Sequence, residues 1–139
     1  MILAELTTYL AANGIGTTGT DLFYGPLQEQ YPDVVTLVNV YGGSPDEPAM
    51  GDPIAAPGKS ARLEFQHVQL LFRGAANDTD GPLTRALSAR DAMLKVLSST
   101  LSGTYYLAIE PLQDPFFLSM DKNYRLSYVF NARCTKEPS

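Results

Sequence analysis

The residues with the most suggestive chemical spacing are two glycine-containing stretches that could bind a phosphate group. The stretch 14–19, GIGTTG, satisfies the G-x-G-x-x-G pattern of dinucleotide-binding proteins. That pattern needs a strand before it and a helix after it, because the amides at the helix N-terminus hold the pyrophosphate. Here the predicted order is reversed. The stretch 58–60, GKS, ends like a P-loop, but Pro53 stands where glycine is required and a strand-like segment follows. We therefore expect no nucleotide site.

Side chains that could catalyse a reaction or bind a metal are few. His67 is the only histidine and Cys134 the only cysteine, so neither a histidine cluster nor a His–Cys–Cys set can bind zinc, and no internal disulfide can form. No Gly-x-Ser-x-Gly elbow accompanies His67. Glu64 and Glu110 could form a carboxylate pair across strands, but a solvated or intersubunit ionic pair is the commoner arrangement. The sequence predicts no enzyme, no cofactor and no metal site.

The composition indicates a globular protein. The chain has 139 residues, of which 45% are hydrophobic and 18% are charged, a balance typical of one packed domain. The formal net charge is −5, which argues against specific DNA binding because such proteins neutralise phosphates with Lys and Arg. No apolar run approaches the ~18 residues of a membrane span, and the first residues lack a signal-peptide pattern. We expect a soluble, intracellular protein with no membrane partner.

The apolar periodicity predicts the elements that carry these residues. Helical spacing predicts a first helix at about 2–12, with Gly14 as its left-handed C-terminal cap. The segment 34–41 is apolar on both parities, which is typical of a strand covered on both faces. Asn and Asp oxygens near the start of a second amphipathic helix, about 82–100, could cap it. Further strands are expected at 22–28, 61–73, 105–109 and 123–133.

The resulting order, α-β-β-β-α-β-β, contains no repeated strand–helix–strand unit. We therefore predict an α+β fold, a single domain with a largely antiparallel β-sheet and two α-helices packed on one face. The domain is expected to span residues 1–134, followed by a flexible tail at 135–139. The segment 42–60 holds four of the ten prolines and four glycines, so it is predicted to be a long loop.

The strand predicted at 61–73 changes its apolar parity halfway along. Leu63 and Phe65 are apolar at odd positions, whereas the residues after His67 are apolar at the even positions Val68, Leu70 and Phe72. Because strand side chains alternate between faces, one continuous buried face would keep one parity. A β-bulge near His67 would restore a single face. Alternatively the two halves bury opposite faces, and a neighbouring chain covers part of the apolar surface.

This pattern resembles a known family. The short helix, the two-sided strand, the Pro/Gly loop, the stretch VQLLFRG at 68–74 and the closing PFFLSMDKNYR at 115–125 are similar to bacteriophage minor capsid and tail terminator (tail completion) proteins. The resemblance covers about residues 1–134. It implies a structural virion protein of the tail and neck region, assembled in the host cytoplasm, that forms a ring, commonly of six copies, and has no catalytic activity.

The same resemblance implies the partners. They are other copies of the chain, the tail tube protein whose polymerisation the ring stops, and the head connector or head-completion protein. DNA would only pass through the lumen, and an acidic chain suits that passage because it does not retain phosphate. A head-completion or connector adaptor is the alternative within this class. A small ligand-binding or metabolic enzyme domain that uses His67 is the alternative from another class.

Two sets of residues are predicted to make the contacts. Charged residues on or beside apolar strands, together with the apolar strand residues themselves, would contact neighbouring subunits: Arg62, Glu64, Val68, Leu70, Phe72, Arg73 and Arg125. The predicted loop would dock on the tube or the connector through Asp46, Glu47, Met50, Asp52 and Lys59, because a long loop can become ordered on binding.

Overall fold

The computed structural model describes residues 2–48 and 62–137 and has two helices and a mostly antiparallel sheet. Its elements are α1 Ile2–Ala12, β1 Leu22–Tyr24, β2 Val35–Pro48, β3 Arg62–Ala76, α2 Asp80–Leu94, β4 Leu97–Leu101, β5 Thr104–Pro111, β6 Phe116–Met120 and β7 Arg125–Lys136. The predicted single-domain α+β fold is confirmed. The structure adds β4 and β6, and it ends α2 at Leu94 instead of near residue 100.

The sheet is arranged around β7. The strand order is β1-β2-β3-β7-β5-β4, and β6 also pairs with β7. Every pairing is antiparallel except that of β1 with β2. One edge of β7 pairs with β3 along nearly its whole length, whereas its other edge pairs first with β6 and then with β5. Because β4 covers only β5, the outer edge of β6 has no strand partner among the described residues.

Helix α1 ends where the sequence predicts, at a glycine cap. Gly14 has a φ of +79°, a conformation that costs glycine little because it lacks a Cβ. The N–H of Ile15 donates to the carbonyl oxygen of Leu10 and the N–H of Gly14 to that of Ala11, each at 3.1 Å. This pair of bonds is the Schellman arrangement, which satisfies carbonyls at the end of the helix. The glycine stretch 14–19 therefore follows a helix and precedes β1, which is opposite to the order a dinucleotide site requires.

Both helices pack on one face of the sheet, called here the helix face. The core beneath them contains Val68, Leu70 and Phe72 from β3 and Phe130 from β7, all fully buried. The second face is partly covered by segment 25–34, because the ring of Tyr31 stacks on Phe23 with ring centroids 4.1 Å apart. Adjacent register positions place an apolar row across this second face: Phe23, Leu37, Leu71, Val129 and Phe116.

The parity change in β3 is real, and β3 itself has no bulge at His67. β3 pairs with β7 without a register shift from Glu64 to Arg73, so odd and even residues stay on opposite faces throughout. Leu63 and Phe65 therefore project from the second face, where both are half-buried. The irregularity lies in the neighbouring strand, where the register of β2 shifts between Val40 and Gly42. The two halves of β3 thus bury opposite faces.

Two predicted boundaries are corrected. β2 continues as a strand to Pro48, so the first part of the predicted loop 42–60 is paired with β3 instead. Prolines are tolerated there because β1 pairs with β2 only as far as Val38, which leaves the other edge of β2 free in the described chain. β7 continues to Lys136, two residues past the predicted domain end at 134, because Lys136 is buried and ion-paired.

Candidate functional site

The apolar residues predicted to contact a neighbour lie in the core of the single chain. Val68, Leu70 and Phe72 are fully buried beneath the two helices. They therefore contribute to folding of the subunit, because fully burying such a side chain stabilises by about 1.5–3 kcal/mol. Contact with a neighbouring subunit stays a prediction for these residues, and it would require the helices to move.

Arg73 and Arg125 fix segment 25–34 to the sheet. Arg73 is only 4% exposed, and its guanidinium donates to the carbonyl oxygens of Pro32 and Asp33, each at 2.9 Å. Arg125 bridges two carboxylates, with Nη1 2.7 Å from Asp33 Oδ1 and Nε 2.8 Å from Asp121 Oδ2. Both side chains are thus already bonded to acceptors within the chain. Their contact with a neighbouring subunit stays a prediction.

Three side chains of this cluster have shifted pKa values, and the cause of each shift can be identified. Burial lowers the pKa of the Arg73 guanidinium, whereas the hydrogen bond to Asp33 raises the pKa of Arg125. The pKa of Asp121 is lowered, chiefly by the hydrogen bond from the backbone N–H of Arg125. Opposite charges and donated hydrogen bonds stabilise the ionised forms. The cluster is therefore an ionised clamp at neutral pH.

A polar cleft of about 410 Å3 opens beside this clamp. Its walls combine residues of segment 25–34 with the turn between β6 and β7: Leu27, Gln28, Glu29, Arg73, Asp121, Lys122, Asn123 and Arg125. Its lining contains two acidic and three basic side chains, and two of the basic residues, Arg73 and Arg125, are already bonded to acceptors in the chain. Such a lining offers no concentrated charge for an anion or a cation.

The two glutamates considered as a carboxylate pair lie apart and pair with basic residues. Glu64 accepts from Lys136 Nζ at 2.7 Å, and Glu110 accepts from Arg133 at 3.1 Å through both of its oxygens. The β3–β7 and β5–β7 registers produce these pairs, because Glu64 lies opposite Lys136 and Glu110 opposite Arg133. Both glutamates therefore form ionic pairs within the chain, where the sequence predicted a solvated or intersubunit pair, and they do not form an acid–base pair with each other.

His67 and Cys134 have ordinary structural surroundings. The ring centroid of His67 lies 5.6 Å from that of Tyr41. Cys134 is fully buried, and burial raises the pKa of its thiol to about 12, so the reactive thiolate is absent at neutral pH. Within residues 2–48 and 62–137, no group of three or more His, Cys, Asp or Glu side chains could hold a metal ion.

The docking residues predicted in the loop fall in two places. Asp46 and Glu47 belong to β2, in which Glu47 lies opposite Leu63 of β3 and Asp46 lies in a register shift. Met50, Asp52 and Lys59 lie outside the described residues. The docking role of these five residues remains a prediction, as does the intersubunit contact of Arg62, the first residue of β3.

Sequence reasoning missed the apolar edge strand β6. All five of its residues, Phe116–Met120, are exposed, with Phe117 and Met120 each more than half accessible. Leu112 and Tyr124 on its flanks are also exposed. A signal was present in the sequence, since four large apolar side chains stand together between Pro115 and Asp121 without a partner helix or strand pattern. Exposed large apolar side chains on an edge strand are candidates for a surface that another protein covers.

Comparisons with known proteins give a shared fold. No family model matches the chain, and no curated protein matches it. In the described residues, neither helix has the length and apolar character needed to cross a membrane. The chain is similar to a solved structure described as "Virion of native gene transfer agent (GTA) particle", with 14% sequence identity and a TM-score of 0.62. That match covers 99% of this chain and 95% of the other.

The breadth of this match defines the class of fold. Because nearly the whole of both chains superimposes, the helices, the sheet and the order of elements are shared, and not only one motif. The fold of this chain is thus one that also occurs in a chain of a gene transfer agent virion particle.

Proposed function

We propose that the protein is a structural virion component without enzymatic activity, and specifically a tail terminator. In this role a ring of copies caps the tail tube, stops its polymerisation and presents the surface that joins the head connector. The observation that carries the proposal is the whole-chain similarity in fold to a subunit of a gene transfer agent virion. The sequence resemblance to tail terminator proteins, drawn from residues 68–74 and 115–125, points in the same direction.

The distribution of the side chains supports an assembly role over a catalytic one. Ion pairs join Glu64 to Lys136 and Glu110 to Arg133 across the sheet, and Arg125 joins Asp33 and Asp121 in the clamp on segment 25–34. Edge strand β6, by contrast, presents exposed large apolar side chains that a partner can reach. An assembly protein needs accessible complementary surface, whereas an enzyme needs a cavity with convergent reactive groups.

The contacts of the ring and of its partners belong to the same proposal. Glu64 keeps 22% of its side-chain surface and is therefore accessible to a neighbouring subunit, whereas Val68, Leu70 and Phe72 are fully buried. Arg62 would contact a neighbouring subunit, and the docking residues would contact the tube or the connector: Asp46, Glu47, Met50, Asp52 and Lys59. The net charge of −5 suits a lumen through which DNA slides.

Electron microscopy of lysates from a phage that lacks this gene tests the role. Overlong tails are expected, because nothing would stop tube growth. Finished tails of normal length beside unjoined, leaking heads would instead identify a head-completion adaptor. Normal, infectious particles would refute both. Turnover of a substrate that is lost in His67→Ala would replace the structural role by an enzymatic one.

A further inference from the structure

The turn between β6 and β7 holds a tyrosine in a backbone conformation that favours glycine. Tyr124 has a φ of +61°, in the left-handed region, which an L-residue adopts about tenfold less readily than glycine does. It is the last residue of a short hairpin loop that is closed by a hydrogen bond from the N–H of Asp121 to the carbonyl oxygen of Arg125 at 3.1 Å. Glycine usually occupies this loop position. A bulky side chain there is an outlier that needs a compensating contact.

Contacts within the chain fix the backbone of Tyr124 but do not cover its ring. Its N–H donates to the carbonyl oxygen of Asp121 at 3.0 Å, and its own carbonyl oxygen accepts from the N–H of Asn77 at 2.8 Å. Asp121 Oδ1 accepts from the N–H groups of Asn123 and Arg125 at 2.9 and 3.0 Å. The residue is nevertheless 58% exposed, more than any other aromatic residue of the described chain. The turn therefore presents the ring to solvent on a fixed backbone.

An exposed aromatic ring on a fixed backbone is suited to anchor a protein interface. Tyrosine is enriched among the residues that carry binding energy, because it brings a large contact area and a hydroxyl group at a small cost in entropy. A backbone that is fixed before binding lowers this cost further. Burial of the ring of Tyr124 in a pocket of a partner would offset the cost of its backbone conformation, which contacts within the chain do not offset.

The surroundings of the turn indicate the chemistry of the partner. Lys122 is exposed, and no described residue forms an ion pair with it. Lys122 and Asn123 also form one wall of the polar cleft beside the clamp, and Leu27, which is 49% exposed, belongs to the wall formed by segment 25–34. A complementary surface therefore has an apolar pocket for the ring of Tyr124 and a carboxylate that faces the ammonium group of Lys122.

The turn lies far along the sheet from the predicted docking residues. Ala76, at the end of β3, lies opposite Arg125, which directly follows the turn. Glu47, one of the predicted docking residues, lies opposite Leu63, near the start of β3. At the rise of a β-strand these two positions of β3 are roughly 40 Å apart. A protein that joins two different parts of a virion needs a contact at each of two ends, and Tyr124 is placed to supply the second.

We propose that Tyr124 is the anchor through which this chain binds another protein of the virion, whose surface offers an apolar pocket with a carboxylate at its rim. The inference rests on the proposed function, because that function supplies the virion partner. It also goes beyond that function, since neither the predicted intersubunit contacts nor the predicted docking residues include the turn 121–124.

Complementation of a phage that lacks this gene, together with thermal denaturation of the purified chain, tests the role of the ring. Tyr124→Gly should raise the melting temperature by about 3 °C, because it relieves the left-handed conformation, yet it should lower the plaque titre about tenfold or more. Tyr124→Asn tolerates the same conformation without a ring and should lower the titre equally, whereas Tyr124→Phe should keep it. Ser102→Gly is the matched control, since Ser102 is exposed and has a φ of +48° in the turn between β4 and β5. This control should melt no lower than the wild type and complement fully.

Three results would overturn the proposal. A Tyr124→Gly protein that melts below the wild type would show that the ring packs within the chain, and one that complements fully would show that no partner needs the ring. A change in its sedimentation coefficient would identify a second copy of this chain as the occupant. If the phage forms plaques without the gene, the proposed virion role fails and this contact fails with it, whereas an essential gene that tolerates Tyr124→Gly removes only the contact.

A charge reversal tests the carboxylate at the rim of the pocket. Lys122→Glu should lower the plaque titre by about fivefold, the effect of one exposed ion pair. Lys95→Glu is the matched control, because it makes the same change at an exposed lysine that caps the C-terminal end of α2, and it should complement like the wild type. Equal titres of the two variants would overturn the carboxylate as part of the partner.

Discussion

The ion pair between Glu64 and Lys136 gives the sharpest test of how the sheet is held together. Its partners differ in accessibility: Lys136 is 1% exposed, whereas the side chain of Glu64 is 22% exposed. Lys136 also donates to the carbonyl oxygen of Glu137 at 3.1 Å. Removing the Glu64 carboxylate takes a charged acceptor away from a buried ammonium, whose other contacts compensate only in part, whereas removing the ammonium leaves a carboxylate that water can reach.

The expected magnitudes follow from that asymmetry. Glu64→Leu should lower the free energy of unfolding by about 3 kcal/mol, the low end for breaking a buried pair, because other contacts of Lys136 remain. Lys136→Met should cost only about 1 kcal/mol, since the exposed carboxylate is screened by water. The double variant should lie within about 1 kcal/mol of the wild type, because apolar side chains can replace a buried pair at similar volume.

Urea denaturation at low protein concentration measures these values. Glu110→Leu is the matched control, since its pair with Arg133 joins the same strand to β5 but is exposed by 41% and 50%, and it should cost less than about 1 kcal/mol. The reasoning is refuted if Lys136→Met is more destabilising than Glu64→Leu, or if Glu64→Leu costs no more than Glu110→Leu.

Three other predictions concern pH, the clamp on segment 25–34 and the cap of α1. Burial raises the pKa of Cys134 from 9.0 to about 12, so the unfolded chain loses this proton at a lower pH than the folded protein does, and stability should fall by about 1.4 kcal/mol per pH unit above pH 9. Cys134→Ala should remove this slope between pH 9 and about pH 10, where tyrosines begin to titrate. A slope that persists in the variant would exclude the thiol as its cause. Arg125→Lys should speed proteolytic cleavage within 25–34, because an ammonium cannot bridge Asp33 and Asp121 as the guanidinium does. The surface variant Arg90→Lys is the control, and equal cleavage rates in the two variants would argue against the clamp. Gly14→Ala should destabilise the protein by about 1 kcal/mol through its φ of +79° alone, whereas Thr8→Ala on the exposed side of α1 should not, and thermal denaturation compares the two.

The elements with strong periodic or two-sided patterns could be predicted from the sequence. The helix at 2–12 and its glycine cap follow from local spacing. The strand that is apolar at both odd and even positions was predicted to be covered on both faces, and four consecutive β2 residues, from Val35 to Val38, are indeed buried. These features depend on short-range geometry, which the sequence carries directly.

The elements without that pattern could not be predicted. β6 is short and exposed, so it lacks the alternation that burial on one face produces. The second helix was predicted to extend to about residue 100, but α2 ends at Leu94. Ser98, in β4, has a φ of +48°, which is incompatible with a continuing helix.

The candidate contact residues illustrate a further limit. The pairing of Glu64 with Lys136 and the clamp made by Arg125 depend on strand register, which the sequence does not specify over separations of 72 and 92 residues. A charged residue beside an apolar strand therefore has the same sequence signature whether its partner lies in the same chain or in a neighbouring one.

The most direct test of the terminator role uses purified protein and growing tail tubes. The protein is added to polymerising tube subunits, and tube lengths and tube ends are measured by electron microscopy. The account predicts that growth stops and that a closed ring of this chain is visible at one end of each arrested tube. Unchanged tube lengths with bare ends would contradict it.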